Sequence, residues 1–298
     1  MLNKKKVSPY LYIIPAFIVI GLIIVYPIMY TFYISFTNMN IYHWFDFEIT
    51  GLSNYSKALF VFDLGFIKAL LITIIWTIVN MVLQLVIAYL IANLLNNKLL
   101  KRGKNIYKML LMVPWAIPGY VSILLWKNGI FNVQFGLLNQ WLNTLGFQSV
   151  QWLNQPVVAF TSMTVLNLWL ALPFMIMIMD GALQSIDRSY YEVAQIEGAS
   201  KFEQSRYITI PLIKSVIGPA VVITAFTTFK QFDIVYLLTL QPASRTGAGI
   251  HTIITYAYEN AFITSNYGYS SAISIIIFIM LVSFTLLTSN DFRRKKHE

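Results

Sequence analysis

Four long stretches of this chain contain no Asp, Glu, Lys or Arg. They lie between Lys6 and Asp46, Lys68 and Lys98, Lys127 and Asp180, and Glu259 and Asp291. A helix needs about 20 apolar residues to cross the hydrocarbon core of a bilayer, and it suits that medium because it bonds its own backbone. The run after Lys127 is too long for one crossing and has to hold the end of one span, a loop and another span. The chain is 57% hydrophobic and 11% charged, about half the charged fraction of a soluble domain. The reading is an all-α membrane protein with six transmembrane helices, at about 10–36, 66–93, 108–127, 156–180, 207–230 and 268–289, in one transmembrane domain over 1–298. Lys214 falls inside the fifth span and is expected to reach the surface along its aliphatic stem. Pro114, Pro118, Pro173 and Pro219 lie within spans and read as kinks.

The placement of charge gives the expected orientation. The net charge is +9, yet the basic residues do not form one patch for a nucleic acid. Lys4–Lys6 precede the first span. Lys98, Lys101, Arg102, Lys104 and Lys108 lie between the second and third. Arg188, Lys201 and Arg206 lie between the fourth and fifth, and Arg293–Lys296 follow the sixth. This alternation is the positive-inside pattern, which puts both termini and the segment 187–207 in the cytoplasm of a multi-pass plasma-membrane protein. The first apolar segment is too long for a signal-peptide core and lacks a small-residue cleavage site, so no cleaved leader is expected. With no cysteine and three scattered histidines, no metal site is expected. Trp44, Trp115, Trp126, Trp141 and Trp152 fall near span ends and read as an interfacial aromatic belt. Residues 231–267 read as an outer segment, with an apolar piece (DIVYLLTL) and a turn-forming cluster (QPASRTGAG).

One polar stretch interrupts the apolar pattern. In YYEVAQIEGASKFEQSRYITIP (190–211), Ser189 with Glu192 and Ser200 with Glu203 each fit the S-x-x-E capping box. Gly198 stands between them, where a left-handed residue would end the first helix. The expectation is a short helix, a sharp turn and a second helix leading into the fifth span. Such a piece could lie on lipid headgroups as an amphipathic hairpin. Its first helix presents Glu192, Val193, Ala194 and Ile196, a mixed surface with little basic charge, and that suits a protein cleft better than anionic lipid.

This stretch resembles the loop of ABC importer permeases: E-A-A, three residues, Gly, nine residues, then I-x-L-P. Here Glu192-Val193-Ala194, Gly198, Ile208 and Pro211 keep that spacing, with Val193 for Ala and Ile210 for Leu as departures. The first span, GLSNYSKAL (51–59), FDIVYLLT (232–239) and NYGYSSAIS (266–274) are similar to sugar permeases of the maltose type. The usual Gly-rich turn after LLT is replaced here by LQPASRTGAG.

The resemblance implies the type I ABC importer permease fold, with a coupling helix in the loop 187–207 that inserts into a separate ATPase. Glu192, Val193, Ala194, Ile196 and Gly198 would form the coupling site. It also implies a second homologous permease, an ATPase dimer and an extracellular sugar-binding protein as partners. No nucleotide cofactor is expected on this chain, which has no G-x-x-x-x-G-K-[ST]; ATP and magnesium would bind the ATPase, and the chain would not itself be an enzyme.

Thr224, Thr227, Thr228 and Gln231 share one helical face by spacing, although Thr hydroxyls also bond back to their own helix. Asn167 and Trp169 are further candidates in span four. The resemblance places a sugar pathway at Leu170, Ala171 and Phe174 together with that Thr/Gln face. Two alternatives are an ion-gradient-driven secondary transporter, which would want a membrane-embedded carboxylate, and a membrane enzyme, for which no catalytic constellation is present.

Overall fold

The computed structural model describes residues 4–61, 63–97, 103–240 and 248–294. Among the described residues the fold is helical, with one isolated antiparallel bridge between Thr37 and Ile49. Helices α1 (Lys4–Ile20) and α2 (Tyr26–Ile34) join through a π-turn at Gly21–Val25. After α3 (Ser53–Leu59), α4 (Leu64–Asn96) has 33 residues and is about 50 Å long at 1.5 Å per residue. Among the described residues, five helical stretches are long and apolar enough to cross a bilayer: Leu11–Ile34, Leu64–Asn96, Pro156–Gln184, Lys201–Leu240 and Tyr267–Leu286.

The expected span at 108–127 is built differently. Helix α5 (Lys104–Leu111) stops, α6 (Val113–Ala116) makes a single turn, and α7 (Gly119–Leu125) restarts before a π-turn at Trp126–Ile130. The prolines here are breaks rather than kinks. Pro118 disfavours the helical region for the residue before it, and Ile117 is extended at φ −101° and ψ 131°. Pro114 falls in the first turn of α6, where its missing N–H costs little.

Helices α8 (Leu137–Thr144), α9 (Pro156–Gln184), α10 (Ser189–Ile196), α11 (Lys201–Gln204) and α12 (Ile210–Phe229) follow, with a π-turn at Ser205–Thr209 between the last two. The expected loop after α12 is in part a core element. Helix α13 (Asp233–Val235) and a π-turn at Tyr236–Leu240 bury Ile234, Val235, Leu238 and Leu240 in a cluster that includes Trp76, Ile123 and Leu166. Residues 241–247 of the expected turn cluster lie outside the described residues, as do Lys98, Lys101, Arg102, Lys295 and Lys296. Helices α14 (Ile253–Phe262) and α15 (Tyr267–Arg294) complete the chain.

The fold divides into two compact units, Met1–Lys68 with Ile253–Ser283 and Ala69–Thr252 with Phe284–Glu298. In the first, two sequence motifs meet on one carbonyl. Asn54 of GLSNYSKAL donates through Nδ2 to the Ser35 and Thr37 carbonyls at 3.0 and 2.8 Å. Gly268 of NYGYSSAIS approaches the same Thr37 oxygen so closely that a Cβ would stand 2.2 Å from it, so no side chain fits there. Asp63 ties the unit's other elements. One carboxylate oxygen accepts the Tyr256 and Tyr269 hydroxyls at 2.7 and 2.5 Å, and the other accepts the Gly65 and Phe66 amides at the start of α4.

The second unit is organised on a seam between α4 and α9. Every fourth residue of α4 from Trp76 to Ala92 is buried: Trp76, Asn80, Gln84, Ala88 and Ala92. The facing row on α9 is Ala159, Met163, Asn167, Met175 and Met179, with half-buried Ala171 between Asn167 and Met175. Both rows are i±4 ridges. Trp76 meets Phe160 edge-on at 5.7 Å. The Asn167 amide donates to Asn80 Oδ1 at 2.7 Å, and Gln84 Nε2 donates to the Ala171 carbonyl at 2.9 Å. Further along, Ala88 packs in a cluster with Met175, Ala92 in one with Met179, and Asn96 donates to Asp180 at 2.8 Å. The pairs advance together along both helices, so α4 and α9 run parallel. In lipid no hydrophobic force drives helices together; small residues that let backbones approach and interhelical hydrogen bonds do that work. Ala88, Ala92 and the three amides supply both.

Candidate functional site

The loop between α9 and α12 is specified by its own residues. Helix α10 ends in a Schellman turn: the Gly198 amide donates to Gln195 O at 3.1 Å and the Ala199 amide to Ala194 O at 2.9 Å. Gly198 has φ +80° and open space around its would-be Cβ, so the demand for glycine is conformational. The second capping box forms as expected. Ser200 Oγ accepts the Glu203 amide at 3.3 Å, and Glu203 accepts the Ser200 amide at 2.8 Å. The first does not form. Arg188 is the N-cap residue of α10, without a side-chain cap, and the Asp187 carboxylate accepts the Ser189 amide at 2.9 Å. Those bonds from the Ser189 backbone and side chain hold the Asp187 carboxyl below its ordinary pKa. An Asp two residues upstream reaches this amide without the reciprocal Glu.

Of the expected coupling residues, Ala194 is buried, whereas Glu192, Val193, Ile196 and Gly198 are exposed. Ile196 is 86% exposed and Val193 56%, beside Tyr190 and Phe202 at 55% and 72%. The loop is anchored on its other side. Tyr191 and Thr209 share a hydrogen bond at 2.9 Å, and the Tyr89 hydroxyl pairs with Ser205. Just before the loop, Asp180 is 2% exposed and binds Lys104 Nζ at 3.2 Å, Lys108 Nζ, Asn96 and Gln184. It clamps α4, α5 and α9 where the polar loop begins.

The expected pathway residues do not share one environment. Thr224 and Thr228 are buried within the chain, Gln231 is half-buried, and Thr227 is exposed with its hydroxyl donated to Thr224 O at 2.9 Å. Leu170 packs at the edge of the main core cluster, Ala171 receives the Gln84 amide, and Phe174 stacks on Trp115 at 5.7 Å. Asn167 is in the seam, and Trp169 leans on Trp126 at 5.5 Å. Trp126 and Trp152 are core-packing residues rather than belt residues, whereas Trp44, Trp115 and Trp141 are exposed.

Sequence reasoning missed Asn80 and Gln84. Their signal was present as two amides and two alanines at four-residue spacing inside a charge-free run. Both are 1% exposed or less, and Gln84 Oε1 and the Trp76 indole N–H have no hydrogen-bond partner.

Comparison with known proteins places this geometry. The chain is 32% identical over 287 residues to the trehalose/maltose transport system permease protein MalF of Thermococcus litoralis, covering 96% of this chain and 94% of that protein. It is 30% identical to the maltodextrin transport system permease protein MdxF of Bacillus subtilis, over 95% of this chain and 68% of that one. In structure it resembles a chain of a bacterial ABC transporter that imports alginate, with a TM-score of 0.80, 20% identity, and 98% and 96% of the two chains covered. Residues 84–296 match the family of binding-protein-dependent transport system inner membrane components, and the chain belongs to that family, with the type I ABC importer permease fold.

Proposed function

We propose that the chain is one permease subunit of an ATP-driven importer of a neutral sugar or oligosaccharide, of the maltose and maltodextrin class. It forms half of the pathway beside a second homologous permease, and it works with an ATPase dimer and an extracellular sugar-binding protein. The observation that carries the reading is the α10 turn. It leaves Tyr190, Val193 and Ile196 exposed on a short helix whose C-terminus is closed by the Gly198 and Ala199 amides. An exposed apolar patch set in polar surroundings is a surface for a protein partner, and a coupling helix needs that shape. The relatives' names support the substrate class.

The energy source is tested by uptake of labelled maltodextrin into cells carrying the complete system. Uptake should collapse with vanadate and survive an uncoupler; the opposite outcome favours a gradient-driven transporter. Asp180, the carboxylate nearest the role such a transporter needs, is engaged by two lysines.

Leu170, Ala171 and Phe174 with Thr224, Thr227, Thr228 and Gln231 are the proposed path. Gln231→Ala removes one neutral hydrogen bond, worth about 1 kcal/mol net, so uptake should fall roughly tenfold while the ATPase still responds to the binding protein. Single cysteines at 227 and 231, in a chain with no native cysteine, should react with a water-soluble thiol reagent and be protected by the sugar. Labelling at 222 and 226 instead would mean that the helix is rotated.

A further inference from the structure

Between α8, the π-turn at Trp126–Ile130 and the first turns of α9 lies a cavity of about 470 Å³, lined by Trp126, Phe131, Leu138, Trp152 and Val158, with exposed Trp141 among its edges. That is the size of a ligand site, but ligand sites usually add a few convergent polar groups, and here those groups are engaged elsewhere. The Trp152 indole donates to Asn139 at 3.0 Å, Ser162 Oγ to the Trp152 and Val158 carbonyls at 3.0 and 2.9 Å, and Thr161 to Val157 O at 3.0 Å. The protons of Trp152, Thr161 and Ser162 are thus committed within the chain, and the rest of the lining is apolar and aromatic.

The rim is continuous with the flank of a membrane-spanning helix. Val157, Thr161 and Val165 form an exposed row at four-residue spacing on α9, with Val157 80% and Val165 47% exposed. On α8, Leu137 and Trp141 are exposed one turn apart, while Asn139 on the inner side is buried and donates to the Val133 and Val150 carbonyls at 3.1 and 3.0 Å, which fixes the helix against the chain. Trp141, 67% exposed, has the amphipathic ring that favours headgroup depth. We infer that this cavity is a binding site for one acyl chain of a membrane lipid, which enters past Trp141 and Val157 and is held apart from the lipids that merely surround the protein. The site does not depend on which substrate the transporter carries.

The test is photolabelling of the full chain in nanodiscs of phosphatidylcholine with a diazirine midway along one acyl chain, with adducts mapped by peptide mass spectrometry. Labelling across 137–165 should exceed that across residues 22–30, an exposed apolar stretch of the first long helix, by roughly tenfold, the ratio that two further buried methylenes provide. Val158→Trp, which fills the cavity, should remove that excess and leave 22–30 unchanged, and Val158→Ile should keep it. Ser162→Leu serves as a second filling variant should Val158→Trp not fold. Equal labelling of the two regions, an excess that survives both filling variants, or loss of the excess when a second permease is co-assembled would each overturn the assignment. The last result would make the partner subunit the occupant.

Discussion

The loop at 187–209 and the α4–α9 seam both hold polar side chains in a chain that is 57% hydrophobic, and they satisfy them over very different distances. In the loop, Asp187, Ser200 and Glu203 bond amides two or three residues away, and Gly198 closes its turn through Gln195 and Ala194. In the seam, Asn167 finds Asn80 and Gln84 finds Ala171, each 87 residues away in sequence. The loop can therefore hold its shape while it turns an apolar face outward. The seam exists only when both helices are in place, and a single side chain removed from it leaves a stranded partner.

The largest effect is expected where the seam ends in charge. Asp180→Leu would leave Lys104 and Lys108 facing each other without their carboxylate, at a cost of about 3 kcal/mol. Thermal unfolding in detergent should show it as a clear fall in midpoint. Retained stability would mean that the lysines simply swing into solvent.

Gly198→Val should cost about 2 kcal/mol of local strain, because a β-branched residue is poorly tolerated at positive φ. The strain stays in the loop, so the protein should insert and fold while transport is lost. Normal uptake with the ATPase still bound would remove the loop's proposed role.

Asn80→Leu strands the Asn167 amide and should cost about 2 kcal/mol, whereas the double replacement Asn80→Leu with Asn167→Leu should recover most of that. Additive losses in the double-mutant cycle would show that the two amides are not coupled, and would erase the contrast with the loop.

The smallest effect sharpens the comparison at Asp63, which uses both modes: one oxygen caps the start of α4 and the other takes tyrosines from α14 and α15. Burial pushes its carboxyl upward, but the hydrogen bonds from Tyr269, Tyr256, Phe66 and Gly65 outweigh burial and leave it below its ordinary 3.8. Burial and the bond to Asp63 push Tyr256 up to about 12, so that hydroxyl remains a donor at any working pH. A carboxyl lowered in the folded state stabilises fully above its unfolded pKa, and the contribution is lost as pH falls through the folded value. Resistance of the first unit to limited proteolysis should thus be flat from pH 8 to about 5 and decline below about 4. Asp63→Asn should flatten the decline.

How far each feature could be read in the sequence follows the same division. Four of the five long helices were legible because absence of charge is a property of each segment alone; the fifth, around Lys214, showed only a shorter apolar run. Gly198 and the Ser200–Glu203 box were legible because their partners are neighbours. Asn80 and Gln84 were not, because nothing near them says that an α9 amide or carbonyl is waiting. Residues 233–240 read as a loop because eight mostly apolar residues between turn-formers do not reveal whether a core will receive them. Pro114 and Pro118 were visible, but whether a proline bends or breaks a helix depends on what its neighbours do with the freed carbonyls.

The parallel course of α4 and α9 also limits the chain that joins them. Two rods pointing the same way cannot be linked by a short hairpin, and whatever lies between has to carry the chain back along their length. That return falls to the region of α5, α6 and α7. Breaks at Met112 and Ile117 thus interrupt a stretch that must still cover the distance of a crossing, so this return is made of short helical pieces set end to end where α4 and α9 are continuous.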